Sequence, residues 1–224
     1  MLNPMDITLT RRDAVAILTW REGENRINLD SLGRINEILD ELATIDGPLA
    51  LVLTGTGKFF SNGLDLERFG ANPSEMQATL QELHQTIGRL LVFPAYSVAA
   101  LNGHTFAGGA LLSCAFDYRV MREDRGFWCM NEAEIGLALD ETLWSILANR
   151  LPRASAIEAM LTARRYGAHD ALAGGIVEEI ASEVDVVSRA TAVASVMAMV
   201  DRATLARHKR LAHGAQAAHL GFRG

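Results

Sequence analysis

The sequence predicts an α/β fold. Short apolar runs such as LALVLTG (49–55) and SVAAL (97–101) alternate with stretches whose apolar residues recur at helical spacing, and Gly- or Pro-bearing turns separate them. Two of the strand-to-helix turns, FFSNGLDL (59–66) and NGHTFAGGALL (102–112), are rich in glycine. A chain of 224 residues is long enough to bury a sizeable core.

The elements follow in order. MDITLTRRDAVAILTW (5–20) reads as two strands around an Arg-Arg-Asp turn, and REGENRIN as a polar loop. From Leu29 a helical pattern begins, with Asp30 as its predicted N-cap and Gly47-Pro48 as its stop. LALVLTG is a strand of the parallel, fully buried type. TGKFFSNGLDLERFG is a Gly-rich loop that runs into a short helical turn capped by Asp65. A longer amphipathic helix over 74–93 ends at Pro94. SVAAL is a strand, Asn102-Gly103 a turn, His104 a loop residue, and AGGALLSCA a helix with glycines at its start. A second strand and an acidic turn, MNEAEIGLALD, follow. ETLWSILANRL and RASAIEAMLTAR are helices broken at Pro152; HDALAGG and IVEEIA give a short helix and strand; residues 183–220 are Ala-rich and helical.

Composition narrows the function. Hydrophobic content of 49% and charged content of 21% describe a soluble globular protein. A net charge of −6 gives no support for nucleic-acid binding, and the basic clusters RRDA and RHKR read as solvated faces. Cys114 and Cys129 sit in apolar surroundings, as buried reduced thiols do. MLNPMDITL lacks the pattern of a signal peptide, no apolar run reaches membrane-spanning length, and GFRG matches no peroxisomal or ER address, so the cytoplasm is the expected location. Gly57-Lys58 is followed by Phe rather than Ser or Thr, so no phosphate loop is present. GxGxxG, GxSxG and HExxH are absent, and His208, His213 and His219 read as surface residues. No metal or nicotinamide is expected.

The two Gly-rich turns carry the chemistry. Each ends a strand and starts a helix, where N–H groups lack intrahelical partners and glycine lets a ligand approach the backbone. Two such donors aimed at one point make an oxyanion hole, worth about 2.7–4 kcal/mol per donor in the transition state. Glu132 follows in an apolar setting, with Glu134 as a competing carboxylate. Anion-stabilising backbone and a carboxylate together are what enolate formation requires.

KFFSNGLDL, NGHTFAGGALLSCAFD and MNEAEIGLALD, in this order and spacing, resemble the crotonase (enoyl-CoA hydratase/isomerase) superfamily from about the first hairpin to about residue 180, and within it are most similar to the Δ3,Δ2-enoyl-CoA isomerases. The resemblance implies a crotonase-like spiral of ββα repeats over 1–182. A C-terminal helical segment over 183–224, shorter than in many members, would serve assembly or pocket cover. It implies an acyl-CoA thioester as substrate, with coenzyme A belonging to that substrate rather than acting as a cofactor, and a homotrimer or dimer of trimers. The oxyanion donors would be the N–H groups of Leu64 and Gly108, with Gly63, Asp65, Gly109 and Leu111 around the substrate. Glu132 would be the catalytic carboxylate, and Met130, Ala133 and Ile135 would raise its pKa by burying it. Asp140 would be either a second acid or the N-cap of the next helix. Arg26, with Lys58 and Arg68 as further candidates, would meet the CoA phosphates, and Phe69, Trp128 and Trp144 would wall the acyl pocket.

One departure is decisive for the reaction. Hydratases carry a glutamate where this chain has Leu111. One carboxylate suffices to shift a double bond, so the resemblance implies isomerisation of a 3-enoyl-CoA to a 2-enoyl-CoA. The alternatives are hydration, thioester hydrolysis or decarboxylation on the same scaffold, and a non-catalytic CoA-ester binder.

Overall fold

A computed structural model describes residues 7–223. Residues 1–6, which include the start of the predicted first strand, lie outside the described residues, as does Gly224.

Two sheets organise the chain. The larger has six strands in the order β1 (Ile7–Arg12), β2 (Val15–Trp20), β3 (Ala50–Gly55), β5 (Tyr96–Leu101), β7 (Tyr118–Arg122) and β9 (Glu179–Ala181). β1 and β2 form an antiparallel hairpin, and every later pairing is parallel. The smaller, parallel sheet is β4 (Phe59–Ser61), β6 (His104–Phe106) and β8 (Trp128–Cys129). Successive turns of the chain therefore place one strand in the large sheet and the next in the small one before entering a helix. The result is a spiral of ββα repeats. The short strands β4 and β6 are finds of the structure: they lie in stretches that read as a Gly-rich loop and a turn, and His104 starts β6 rather than sitting in a loop.

The helices are α1 (Leu29–Ala43), α2 (Leu66–Ala71), α3 (Pro73–Val92), α4 (Gly108–Cys114), α5 (Glu132–Ile135), α6 (Glu141–Arg150), α7 (Arg153–Thr162), α8 (Ala168–Ala173), α9 (Val186–Met197) and α10 (Arg202–His219). α1 is capped by Asn28, not Asp30. The Asn28 side chain accepts from Ser31 N while the Ser31 hydroxyl accepts from Asn28 N, a reciprocal box in which Asp30, in the first turn, takes no part. The helix ends at Ala43, short of Gly47-Pro48.

Strand alternation divides the core. Val52, Val98 and Val120 point to one face of the large sheet, which α9 covers with Val186, Ala190 and Ala194. Leu51, Leu53 and Leu101 point to the other face and join the main core with Leu32, Ile35 and Leu39 of α1 and Leu83, Ile87 and Leu90 of α3. α10 packs on α3. It is held by Lys209, which belongs to the supposedly solvated RHKR cluster but is only 5% exposed: its Nζ donates to Asp117 Oδ2 at 2.6 Å and to Ala95 O at 3.2 Å. His213 is likewise drawn inward, 3.2 Å from an Arg150 guanidinium nitrogen. Cys114 and Cys129 are buried free thiols. Among the described residues, no helix is long and apolar enough to cross a membrane.

Candidate active site

The strands of the small sheet deliver both Gly-rich turns to one place. β4 ends at Ser61, whose Oγ donates to Asn25 O at 2.7 Å and accepts from Gly63 N at 3.3 Å. Gly63 then adopts φ +77°, a left-handed conformation that suits glycine. Ile27 N donates to Gly63 O and Asp65 N to Ile27 O, so the 25–28 segment pins the turn on both sides of Leu64. Asp65 caps α2 by accepting from Arg68 N at 3.2 Å. In the second turn Ala107 carries a positive φ of 49°, an uncommon value for a residue with a side chain, and its N–H donates to Cys129 O at 2.9 Å. α4 begins at the next residue.

The two turns touch. A Cβ built on Gly109 would lie 2.7 Å from Ser61 O, and one built on Gly108 would lie 3.7 Å from Leu64 N. Gly109 is thus required by close approach to β4 and forms no part of the cavity wall. Among the described residues, the N–H group of Leu64 has no acceptor, although Gly63 and Asp65 on either side of it donate, and the first N–H groups of α4, Gly108 among them, have none either, although Ala107 donates.

Leu64 and Gly108 line a cavity of about 260 Å³. Its walls are apolar: Leu66 of α2, Met76, Leu80 and Leu83 of α3, Leu111 of α4, Leu137 and Leu139 of the 136–140 turn, and Leu143 of α6. The positions 76, 80 and 83 share one helical face, a signal that the sequence carried. The aromatic walls expected from the sequence are not there. Phe69 and Trp128 are buried in the core, Trp128 donates its indole N–H to Ser113 Oγ, and Trp144 is packed against the core.

Glu132 opens α5 and faces this cavity, 6% exposed. Its Oε2 is buried with no hydrogen-bond partner among the described residues. Burial pushes its carboxyl up to about 7 from 4.5, partly offset by a backbone hydrogen bond, and no cation compensates. Met130 is buried as expected, whereas Ala133 is exposed and Ile135 is 48% exposed at the rim. Glu134 points away and pairs with Arg165 at 3.3 Å on the surface. Geometry separates the two carboxylates in the sense that the spacing favours, with Glu132 at the cavity and Glu134 at the surface.

Asp140 lines the cavity too, but it is exposed and caps α6: its Oδ1 accepts from Leu143 N at 2.8 Å, and its Oδ2 lies 3.7 Å from His84 Nε2. Burial holds His84 below its ordinary pKa, while Asp140 opposes that shift. At the opposite, polar end Arg26 donates from Nε to Glu24 at 2.8 Å and from a terminal nitrogen to Leu64 O at 3.3 Å. Lys58 lies over the Phe59 ring, and Arg68 is engaged by Asp30 and Glu75, so neither faces the cavity. Asn62 and Asn131, not anticipated from the sequence, complete the polar lining. Among the described residues no cluster of His, Cys, Asp or Glu is placed to hold a metal ion.

Residues 11–219 match the family model described as enoyl-CoA hydratase/isomerase. The peroxisomal enoyl-CoA delta isomerase 1 of Arabidopsis thaliana is 34% identical over 76% of the chain and 73% of that protein. The 4-chlorobenzoyl coenzyme A dehalogenase-2 of an Arthrobacter species is 33% identical over 86% of the chain and 72% of that protein. The crystal structure of a probable enoyl-CoA hydratase from Mycobacterium tuberculosis superposes with a TM-score of 0.90 at 28% identity, covering 98% of this chain and 92% of that one.

Proposed function

The chain belongs to the enoyl-CoA hydratase/isomerase family, an enzyme family that acts on acyl-CoA thioesters, and from that premise we propose that it converts 3-enoyl-CoA to 2-enoyl-CoA with Glu132 as its one acid–base residue. The observation that carries this reading is the pairing of Glu132 with Leu111: the apolar cavity holds one buried, unpartnered carboxylate, and the position where hydratases carry their other glutamate has no proton to exchange.

The thioester oxygen sits between the N–H groups of Leu64 and Gly108, whose free donors face the negative charge as it forms. Glu132 takes a proton from C2. The C–H electrons become the C1=C2 bond of a dienolate, with charge on the thioester oxygen and the C3=C4 bond kept. The same carboxyl then returns its proton to C4: the oxyanion collapses to C=O, the double bond settles between C2 and C3, and nothing is gained or lost. A carboxyl poised near neutrality suits both transfers. Water takes no part in these steps, which agrees with the leucine and methionine walls. Neither a metal nor a redox cofactor is needed. Arg26, at the polar end, meets the CoA moiety. The same reading takes the protein as a homotrimer or dimer of trimers, supported by exposed apolar side chains at Leu161, Val196, Met199 and Leu211, and light scattering checks it.

The experiment offers 3-hexenoyl-CoA and crotonyl-CoA to the wild-type protein. Isomerisation of the first that outruns hydration of the second supports the proposal; the reverse order overturns it.

A further inference from the structure

Asn25 is completely buried and has a positive φ of 51°, a backbone that asparagine tolerates better than most residues. Both polar atoms of its side chain are used. Oδ1 accepts from Glu22 N at 2.9 Å, and Nδ2 donates to Phe59 O at 3.1 Å and to Phe60 O at 3.0 Å, so the amide grips β4. Its backbone O accepts from Ser61 Oγ, which in turn accepts from Gly63 N, the residue before Leu64. Phe59 O takes a second donor, Asn102 Nδ2 at 3.3 Å, and Asn102 opens the turn that leads to Gly108. Gly55 lets these groups meet: a Cβ there would lie 2.3 Å from Phe59 O, 2.7 Å from Asn25 Nδ2 and 2.8 Å from Asn102 Oδ1. Apolar side chains could fill this space without fixing a register. Hydrogen bonds are directional, and a fully satisfied buried network specifies one arrangement.

We propose that Asn25 is a positioning residue for the oxyanion hole: acting through Ser61, it holds the 62–65 turn in the register that leaves the Leu64 N–H free for the thioester oxygen. This rests on the acyl-CoA reading above. The 24–27 segment pairs with that turn, where Asn62 N donates to Glu24 O, Ile27 N to Gly63 O and Asp65 N to Ile27 O. Gly63 O and Asp65 N thus face the segment, and the Leu64 N–H between them is passed over. A slip of one residue would exchange the two sides and draw that N–H into the pairing. Asn25 belongs to one side of the pairing and grips β4, which leads into the other, so it fixes the two relative to each other.

The test uses para-dimethylaminocinnamoyl-CoA, a conjugated thioester whose absorption band moves to longer wavelength as its carbonyl is polarised. Its spectrum is recorded bound to wild type, Asn25→Gly, Ser61→Ala and Val186→Ala. Glycine accepts the positive φ and removes only the amide. Val186 of α9 is buried on the other face of the large sheet, so its variant loses stability away from the site. Wild type should show the red shift. Asn25→Gly and Ser61→Ala should bind the thioester but lose most of that shift, and their kcat for 3-hexenoyl-CoA should fall about 10–100-fold with KM within about threefold. Val186→Ala should keep both the shift and kcat. A full red shift in Asn25→Gly or Ser61→Ala overturns the proposal and leaves the acyl-CoA reading standing. An equal loss in Val186→Ala also overturns it, because general destabilisation would then suffice. Ser61→Ala decides the matter if Asn25→Gly does not fold. Should wild type leave the band where it is, the oxyanion hole itself fails, and the proposal with it.

Discussion

The backbone of Gly63 lies against the amide of Gly108: a Cβ built on Gly63 would come within 3.2 Å of Gly108 N and 3.0 Å of both Phe106 O and the Ala107 Cβ. Two turns far apart in sequence are locked together at the one point where both leave an N–H unused. Gly63→Ala should therefore force the turns apart. A left-handed non-glycine residue costs about 1–2 kcal/mol, and the contact with Phe106 O adds to it. Gly57 provides the control, since it also has a positive φ, +66°, but nothing within 4 Å of its Cβ position. Both alanine variants should melt lower; only Gly63→Ala should lose kcat. Equal kinetics in the two would contradict the role given to this contact.

Asp140 caps α6, and the proposed mechanism gives it no part as an acid. An asparagine side chain at this position can still accept from Leu143 N, so Asp140→Asn should keep kcat within about threefold and change stability little, whereas Asp140→Ala should cost about 0.5–2 kcal/mol. Chemical denaturation and steady-state kinetics read the two effects. A hundredfold fall in kcat for the asparagine variant would make Asp140 a second acid.

Glu132 should also weaken the fold at high pH. An acid whose folded-state pKa is raised gives stability that is complete below its unfolded value and lost as pH rises through the folded value. For Glu132 the loss runs from 4.5 to about 7. A shift of that size corresponds to about 3 kcal/mol. Glu132→Gln should match wild type near pH 4 and exceed it by about 2–3 kcal/mol at pH 8, measured by urea unfolding. No pH dependence in the difference would mean that Glu132 is not desolvated.

The larger elements were legible because their patterns are long: α1 and α3 repeat apolar residues every three or four positions, and β3 and β5 are continuous apolar runs between breakers. β4, β6 and β8 were not, because strands of two or three residues hold no period, and their pairing is decided by the large sheet beside them. Lys209 misled for a related reason. Its charge suggests solvent, and only the fold brings Asp117 and Ala95 O to it. The aromatic residues misled in the opposite way. Trp128 and Phe69 are buried as their chemistry demands, but burial says nothing about which side of a wall a ring occupies. The site itself reads better than its lining. Gly63, Gly108 and Glu132 stand in motifs with fixed spacing, whereas Asn131, inside the same MNEAEIGLALD stretch, has no role that the spacing assigns, and its missing cap bond shows in coordinates alone.

The pH–rate profile follows from the same carboxyl. The proposed base works deprotonated, so kcat/KM should be low at pH 5, rise through about 7 and level off above it. His84, held below its ordinary pKa, should not add a second limb: His84→Gln should leave the inflection in place. An inflection that stays near pH 7 after Glu132→Gln, or moves with His84→Gln, would assign the titration elsewhere.

The most direct measurement is the turnover of 3-hexenoyl-CoA by Glu132→Gln. Glutamine keeps the shape of the side chain and removes the proton carrier. With Glu132 as the one acid–base residue, kcat should fall by about 10²–10⁴-fold, equivalent to about 3–5 kcal/mol of transition-state stabilisation, with KM changed little. Near-normal isomerisation by this variant would contradict the single-carboxylate mechanism.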